Sequence, residues 1–238
     1  MVSNDVERLG PGEACDALLL TPKARVIAPL RVLRRGAEDF LLLTEPGLGE
    51  RVRSTLLRSR FALRCDVDLE HHDSAVVLGG DDGIPAHDYG VPAVEVLDAG
   101  LEPTVGEPDL ELLRIRAGTP RFGHEIDDRV LPAEAGLEAT AIDFEKGCYP
   151  GQEPIARQHY RGRVNRTLRL LELDGPLLPD LDAELVYDGK AVGRVTSAAR
   201  DGEVVAALAY VRVEVPFDVV LDLEGRPARQ LDLPSPRP

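Results

Sequence analysis

The residues with the clearest potential for chemistry lie in the segment KGCYPGQEPIARQHYRGRVNR, residues 146–166. Cys148 stands between a glycine and a tyrosine, two residues after Lys146. Pro150-Gly151 predicts a turn and Pro154 is typical of a first helical turn, so we expect Cys148 in a loop just before a helix N-terminus. The amide dipoles of such a terminus and a nearby ammonium group both favour the thiolate, which is the nucleophilic form of cysteine.

The local sequence supports two interpretations of this thiol. In the first, Cys148 is packed under a turn, which is the common fate of a lone cysteine, and Glu153 only caps the helix. In the second, the thiol is reactive, and Gly147 and Gly151 let the backbone approach a ligand or adopt a positive φ. The residues alone leave both interpretations open.

The overall charge limits the partners that the chain can have. With 42 acidic and 28 basic residues the formal net charge is −14, and such a field argues against non-specific binding to nucleic acid or anionic lipid. The stretch from Pro154 to Leu171 departs from this average because it has no acidic residue. It carries five arginines: Arg157, Arg161, Arg163, Arg166 and Arg169.

The cysteines and histidines do not indicate a metal site. Cys15, Cys65 and Cys148 are widely separated, and without a Cys-x-x-Cys pair they predict reduced thiols and no tetrahedral zinc site. The adjacent His71 and His72 fit a strand-to-turn corner better than a ligand pair.

No apolar run approaches the roughly 20 residues that span a bilayer, and no export signal is evident, so we expect a cytoplasmic protein without a membrane partner.

The elements that must position the Cys148 segment fall into two parts. In the first part, apolar runs predict strands at residues 18–20, 26–33, 38–44, 65–71 and 74–79. Thr44 as a cap and Pro46 in the first turn predict a helix that reaches about Phe61. A second helix is expected over residues 109–118, ending at Gly118. This mixed order indicates an α+β fold.

The second part is predicted to be all β. After Gly162, short strand-like runs recur at near-regular spacing, and Asp-Gly pairs mark turns at residues 174–175, 188–189 and 201–202. We therefore predict a sandwich or barrel over residues 163–238, preceded by an α+β domain over residues 1–162. The tail at residues 233–238 is expected to fray.

Three motifs carry a family resemblance: RAGTPRFGHEIDD (116–128), LPAEAGL (131–137) and KGCYPGQEPIAR (146–157). They resemble the YgfZ-type folate-binding proteins, which are relatives of the glycine-cleavage T-protein, an aminomethyltransferase. The resemblance extends to MVSNDV at the start and so covers almost the whole chain. It implies a T-protein-like α+β domain that cradles tetrahydrofolate, followed by a small C-terminal β-barrel.

The resemblance also implies a function and a set of site residues. The function is that of an accessory factor for iron–sulfur protein maturation or repair and for tRNA thiomodification, with folate and iron–sulfur client proteins or assembly factors as partners. Cys148 and Lys146 would be the catalytic groups. Tetrahydrofolate would contact Asp5, Arg116, Gly147, Tyr149, Gly151, Gln152, Glu153 and Arg157. The arginine run would meet the anionic glutamate tail of folate through charge-assisted bonds.

The chain departs from the aminomethyltransferase pattern at three places. Ala28-Pro29 stands where an acid pair is usual, and Arg116 stands where a glutamate would accept hydrogen bonds from the pterin. Both changes count against aminomethyl transfer. The chain also begins inside the block that resembles VSNDV, so we expect either a misassigned start or a folate domain that lacks its N-terminal segment.

Two alternatives to the accessory role remain open. The first is a folate-dependent one-carbon transferase, for which Asp5 is the nearest candidate acid or base. The second is an RNA-contacting module that uses the arginines from Arg157 to Arg169. The net charge and the small number of aromatic residues available for base stacking oppose the second alternative.

Overall fold

The N-terminal part is built on an antiparallel sheet with the strand order β1-β2-β3. The computed structural model describes residues 1–59 and 64–234. The strands are β1 (Ala14–Leu20), β2 (Val26–Arg34) and β3 (Phe40–Leu43). Apolar residues alternate along β2, so one face of this sheet packs into the core. All three strands confirm the sequence prediction.

Helix α1 (Gly49–Ser59) covers this sheet and buries Val52 and Leu56 against it. Its predicted start at Thr44 is wrong. The Thr44 hydroxyl donates to the carbonyl of Pro29 at 2.8 Å, so it fixes the end of β3 to β2 instead of capping a helix. The predicted helix end near Phe61 lies outside the described residues.

A second small sheet has the order β4-β6-β5, with β4 (Ser74–Leu78), β5 (Ile84–Pro85) and β6 (Ala93–Leu97). The strand predicted at residues 65–71 is wrong, because this segment is irregular and mostly exposed, and only Val67 of it packs against the core. The Arg31 guanidinium joins the two sheets, since it lies 2.8 Å from Asp88 and 3.5 Å from Glu95.

Three further helices lead to the second part: α2 (Glu107–Ala117), α3 (Glu138–Ala141) and α4 (Gln152–Arg161). The predicted end of α2 is confirmed, since Gly118 adopts φ 74° and its amide reaches the last turn. The predicted end of α4 is confirmed as well, because the amide of Gly162 donates to the carbonyl of Gln158 at 2.9 Å.

The C-terminal part is a closed antiparallel barrel with the order β10-β7-β12-β11-β8-β9. Its strands are β7 (Arg166–Asp174), β8 (Glu184–Tyr187), β9 (Lys190–Asp201), β10 (Val204–Arg212), β11 (Leu221–Leu223) and β12 (Arg226–Leu231). Of the two architectures predicted, the barrel is correct. Asp188-Gly189 makes the tight turn between β8 and β9 with both φ values positive, as the Asp-Gly signal indicated.

The two parts share a buried contact surface. Ile115 of α2 packs with Leu168, Leu208 and Tyr210 of the barrel in one core cluster. The predicted division at residues 162/163 remains a prediction, and the first barrel strand starts at Arg166. Across residues 1–59 and 64–234, none of the helices combines the length and apolar character that crossing a membrane requires.

Candidate functional site

Cys148 lies on an exposed loop between α3 and α4. The thiol is therefore not packed under a turn, and the structural interpretation that the sequence left open is wrong. Its neighbour Tyr149 points inward and is 7% exposed. The loop thus anchors one side chain in the core and presents the next one to solvent.

Gly151 fixes the end of this loop against the turn between β1 and β2. It has φ 85°, and a Cβ there would lie 2.7 Å from the carbonyl oxygen of Thr21 and 3.1 Å from the Cα of Ala24. Only glycine tolerates both the backbone conformation and the close approach. Gly147 differs, because a Cβ at that position would meet no atom within 4 Å among the described residues.

Lys146 fixes the start of the same loop. Its ammonium donates to the carbonyls of Val2 at 2.9 Å and Asn4 at 2.7 Å, and it lies 5.9 Å from the centroid of the Tyr149 ring. Lys146 therefore ties the Cys148 loop to the N-terminal segment. Burial and the nearby carboxylates of Glu138 and Asp143 raise the pKa of the Tyr149 hydroxyl to about 12.

That N-terminal segment is held by polar contacts that the sequence analysis did not identify. The hydroxyl of Ser3, fully buried, donates to the carbonyl of Ala141 at 2.5 Å and accepts the amide of Leu18 at 2.7 Å. The side-chain amide of Asn4 donates to the backbone carbonyl of Asp16 at 2.7 Å. The signal available in the sequence was the run of small polar residues at positions 3–5, which is typical of side chains that bond to nearby backbone.

Asp5 is close to the loop through a shared arginine. Arg8 lies 2.8 Å from the carboxylate of Asp5 and 3.6 Å from that of Asp143, which precedes the Cys148 loop. Ala28, which stands where the family resemblance leads us to expect an acid, lies in β2 and is fully buried in the sheet. The predicted binding role of Asp5 remains a prediction.

An apolar cavity of about 170 Å³ adjoins the loop at Pro150. Its other walls are the end of β1, the following turn and α1, with the lining residues Met1, Leu19, Leu20, Thr21, Pro22, Ile27, Thr55, Leu56 and Ser59. Most of these side chains present carbon. The hydroxyl groups of Thr55 and Ser59 at one wall donate within α1, to the carbonyls of Arg51 at 2.7 Å and Thr55 at 2.9 Å, and keep only their acceptor capacity. This composition suits a small ring with a polar edge.

The predicted site residues do not all meet at this loop. Gln152 and Glu153 open α4, and Glu153 pairs with Arg157 at 2.7 Å on the exposed face of the helix. Arg116 instead contacts the barrel, 2.5 Å from Asp201 and 3.2 Å from Glu172. Its charge is balanced by these two carboxylates, so the structure gives Arg116 a part in joining α2 to the barrel.

The arginine run divides into an exposed and a structural group. Arg169 is 8% exposed and donates to the backbone carbonyls of Arg212 and Val215. Arg166 lies 3.2 Å from Glu134 and its guanidinium stacks over Tyr210. The exposed group consists of Arg157, Arg161 and Arg163.

The other two cysteines differ from each other in their surroundings. Cys65 is exposed, whereas Cys15 is half-buried on β1, and burial raises the pKa of its thiol to about 11. Within residues 1–59 and 64–234, no group of three or more histidine, cysteine or acidic side chains is arranged to hold a metal ion.

Sequence comparison finds relatives of this chain. An uncharacterized protein of Haemophilus influenzae is 25% identical over 210 residues, which cover 83% of this chain and 75% of that protein. The tRNA-modifying protein YgfZ of Edwardsiella ictaluri is 37% identical over 53% of this chain. The protein of the same name from Escherichia coli O45:K1 is 36% identical over 39% of this chain. The last two alignments span 40% and 31% of those relatives, less than half of their length.

The fold has a solved counterpart. The glycine cleavage system aminomethyltransferase T of Bartonella henselae superposes with a TM-score of 0.78, over 97% of this chain and 77% of that protein, at 18% sequence identity. The T-protein-like fold is therefore confirmed. No protein-family model matches the chain.

Proposed function

We propose that this chain, a relative of the YgfZ-type proteins with a T-protein-like fold, is a tetrahydrofolate-binding accessory protein. In this proposal it acts in the cytoplasm in tRNA modification and in the maturation or repair of iron–sulfur proteins. Iron–sulfur client proteins or assembly factors are its partners. Cys148 is the residue through which it acts.

The observation that carries the proposal is that contacts fix the Cys148 loop at both of its ends. The thiol is exposed, while the loop is fixed at one end by Lys146 and at the other by the close approach of Gly151 to Thr21. A reactive side chain on a fixed loop reaches a partner without a large cost in conformational entropy. A cysteine with only a packing role would not need this arrangement.

The cavity beside Pro150 supports the folate part of the proposal. Ligand sites are mostly apolar with a few polar groups that set the orientation, and this lining has that character. The aliphatic walls would hold the pterin ring. The hydroxyl groups of Thr55 and Ser59 donate to the carbonyls of Arg51 and Thr55 in α1, so they would act as acceptors for N–H groups of the ring. Arg157, which pairs with Glu153 at 2.7 Å on the exposed face of α4, would exchange this partner for a carboxylate of the tail. Bound tetrahydrofolate supplies one-carbon chemistry.

Calorimetric titration with tetrahydrofolate tests this part. The full chain is expected to give a saturable heat. Thr55→Phe, which fills part of the cavity, is expected to weaken binding by about tenfold or more, equivalent to about 1.4 kcal/mol. The matched control is Ser54→Phe, because Ser54 neighbours Thr55 on α1 but does not line the cavity. Absence of heat, or equal affinity of both variants, would argue against the assignment.

The transferase alternative has less support from the site. Its candidate acid or base is Asp5, whose carboxylate is held by Arg8 and by the amide of Glu7 at 3.0 Å. The position where an aminomethyltransferase would carry a further acid is the buried Ala28. Both contacts favour the ionised carboxylate, so they oppose a role for Asp5 as a general acid while leaving a lone pair free on each oxygen.

A further inference from the structure

Three rings meet near the C-terminal end of α4, with Phe144 from the loop between α3 and α4 and His159 and Tyr160 from the last turn of the helix. The ring of Phe144 stacks on that of His159, with 4.0 Å between centroids and an interplanar angle of 28°. Tyr160 meets His159 edge-on at 4.9 Å and Phe144 at 6.4 Å. Aromatic residues make up only 4% of the chain, but two of them and a histidine are concentrated here.

Only a small part of the Tyr160 side chain is buried by the fold. It is 70% exposed, which makes it the most exposed of the large apolar side chains in the part of the chain that the structure describes. A single exposed tyrosine is ordinary, but this ring also makes edge-on contacts with two other rings, which favour one orientation at the surface. The arrangement provides a platform on which a further planar group can stack.

Two exposed arginines follow this platform in the sequence. Arg161 follows Tyr160 in α4, and Arg163 follows the end of the helix; both are exposed. Neither has an ion-pair partner within the described residues, whereas Arg157 is held by Glu153 and His159 lies 3.5 Å from Glu138. Two guanidinium groups without an ion-pair partner in the described part of the chain therefore lie within three positions of the exposed ring in the sequence, in a protein whose net charge is −14. The exposed carboxylate of Glu145 is the acidic group that follows the Phe144 ring in the sequence.

We propose that this surface, Phe144, His159, Tyr160, Arg161 and Arg163, contacts single-stranded RNA. An unpaired base stacks on Tyr160, and the two arginines contact the adjacent phosphates. Stacking platforms beside basic residues are the usual means of binding single strands without strong sequence preference. The choice of RNA over DNA rests on the proposed function in tRNA modification, while the binding chemistry itself needs neither folate nor Cys148.

An acidic protein segment fits the surface less well. Carboxylates would pair with Arg161 and Arg163, but they would leave the ring of Tyr160 without a partner. A nucleotide uses both features at once, because it offers a π face and a phosphate a few ångströms apart. The combination of the ring with the cations therefore favours RNA.

Fluorescence anisotropy of labelled oligouridylate, with the full chain and no folate, tests the proposal. Tyr160→Ala is expected to weaken binding by about 5-fold to 100-fold, and Tyr160→Phe, which keeps the ring, to bind like the unaltered chain. Arg161→Ala is expected to reduce the slope of log affinity against log salt by about 0.7. Arg212→Ala is the control, since Arg212 is an exposed arginine at the end of β10, and it is expected to change neither quantity.

The proposal is overturned if oligouridylate does not bind, or if Tyr160→Ala binds as well as Tyr160→Phe does. It is also overturned if poly-glutamate displaces the RNA at equal charge concentration, which would indicate a site for acidic chains. The matching DNA oligonucleotide is expected to bind with similar affinity, because the stack and the phosphate contacts do not involve the 2′-hydroxyl, and clearly tighter binding of DNA would overturn the choice of RNA. Because folate is absent from the assay, failure here is distinct from failure of the tetrahydrofolate titration.

Discussion

The two glycines that flank Cys148 have different physical roles. At Gly151 the φ of 85° and the contact with Thr21 leave no room for a side chain, whereas Gly147 has open space around its Cα and no positive φ. The glycine at 151 is thus required by the fold. The glycine at 147 is not, so a requirement for it would come from a bound ligand or partner.

Alanine substitution at these glycines should separate fold from function. Gly151→Ala is expected to lower the free energy of unfolding by about 1–3 kcal/mol, because a Cβ carries both backbone strain and a clash. Gly147→Ala is expected to leave it unchanged. Urea unfolding curves of the two variants check this. Equal stability of the two proteins would contradict the packing of Gly151 against the β1–β2 turn.

Sequence analysis identified this loop but not its surroundings. The Lys-Gly-Cys-Tyr motif, the turn at Pro150-Gly151 and the helix that follows were predictable, because local residue types determine them. The exposure of the thiol was not predictable, since it depends on what packs from elsewhere. The anchoring of Lys146 on Val2 and Asn4 joins residues more than 140 positions apart, beyond any local pattern.

At the scale of elements, a histidine links the irregular segment before β4 to the end of β6. His72 lies 2.6 Å from Asp98 and 3.0 Å from Glu70, and these hydrogen bonds raise its pKa. The bonds to Arg35 and His72 in turn lower the pKa of Glu70 to about 2. The segment at residues 64–73, which forms no strand, is therefore held to the second sheet by charge.

This link should make stability depend on pH near neutrality. A histidine with a raised folded pKa stabilises the fold fully below its unfolded pKa of about 6.5, and this contribution is lost as pH rises through the folded value. His72→Gln is expected to remove that dependence. Melting temperatures of both proteins between about pH 5.5 and pH 8.5 check it. Parallel profiles would contradict a charged His72, and His71→Gln is the matched control.

The elements themselves show where local patterns suffice. The ends of α2 and α4 and the β8–β9 turn follow from Gly118, Gly162 and Asp188-Gly189, where backbone preference is decisive. The start of α1 was wrong because the Thr44 hydroxyl bonds to Pro29 across the sheet. Strand β12 has no strand signal of its own, because its sequence, RPARQL, is polar, and it forms by pairing with β7 at the other end of the barrel sequence.

At the scale of the whole molecule, a buried polar network joins the α+β part to the barrel. Glu125, fully buried, accepts hydrogen bonds from Arg114 at 3.0 Å, from the amide of Arg121 at 3.0 Å and from the hydroxyl of Ser197 at 2.6 Å. The Tyr210 hydroxyl donates to the backbone carbonyl of Glu125 at 2.8 Å. One acidic residue thus connects α2, the following turn and two barrel strands.

Removing this carboxylate should weaken the whole molecule. Glu125→Ala leaves the buried Arg114 with less compensation and the Ser197 hydroxyl without its acceptor, so we expect a loss of about 3–5 kcal/mol in the free energy of unfolding. The control is Glu203→Ala, an exposed acid in the β9–β10 turn. Urea denaturation measures both. A loss at Glu125 no larger than at Glu203 would show that the network does not join the two parts.

The account depends most directly on the function of the Cys148 thiol. The decisive measurement is the activity of an iron–sulfur enzyme in bacteria that lack their own YgfZ-type protein and express this chain. We expect the unaltered chain and Cys65→Ala, which removes the other exposed cysteine, to restore activity, and Cys148→Ala and Cys148→Ser to fail at equal expression. Full restoration by Cys148→Ala would contradict the account.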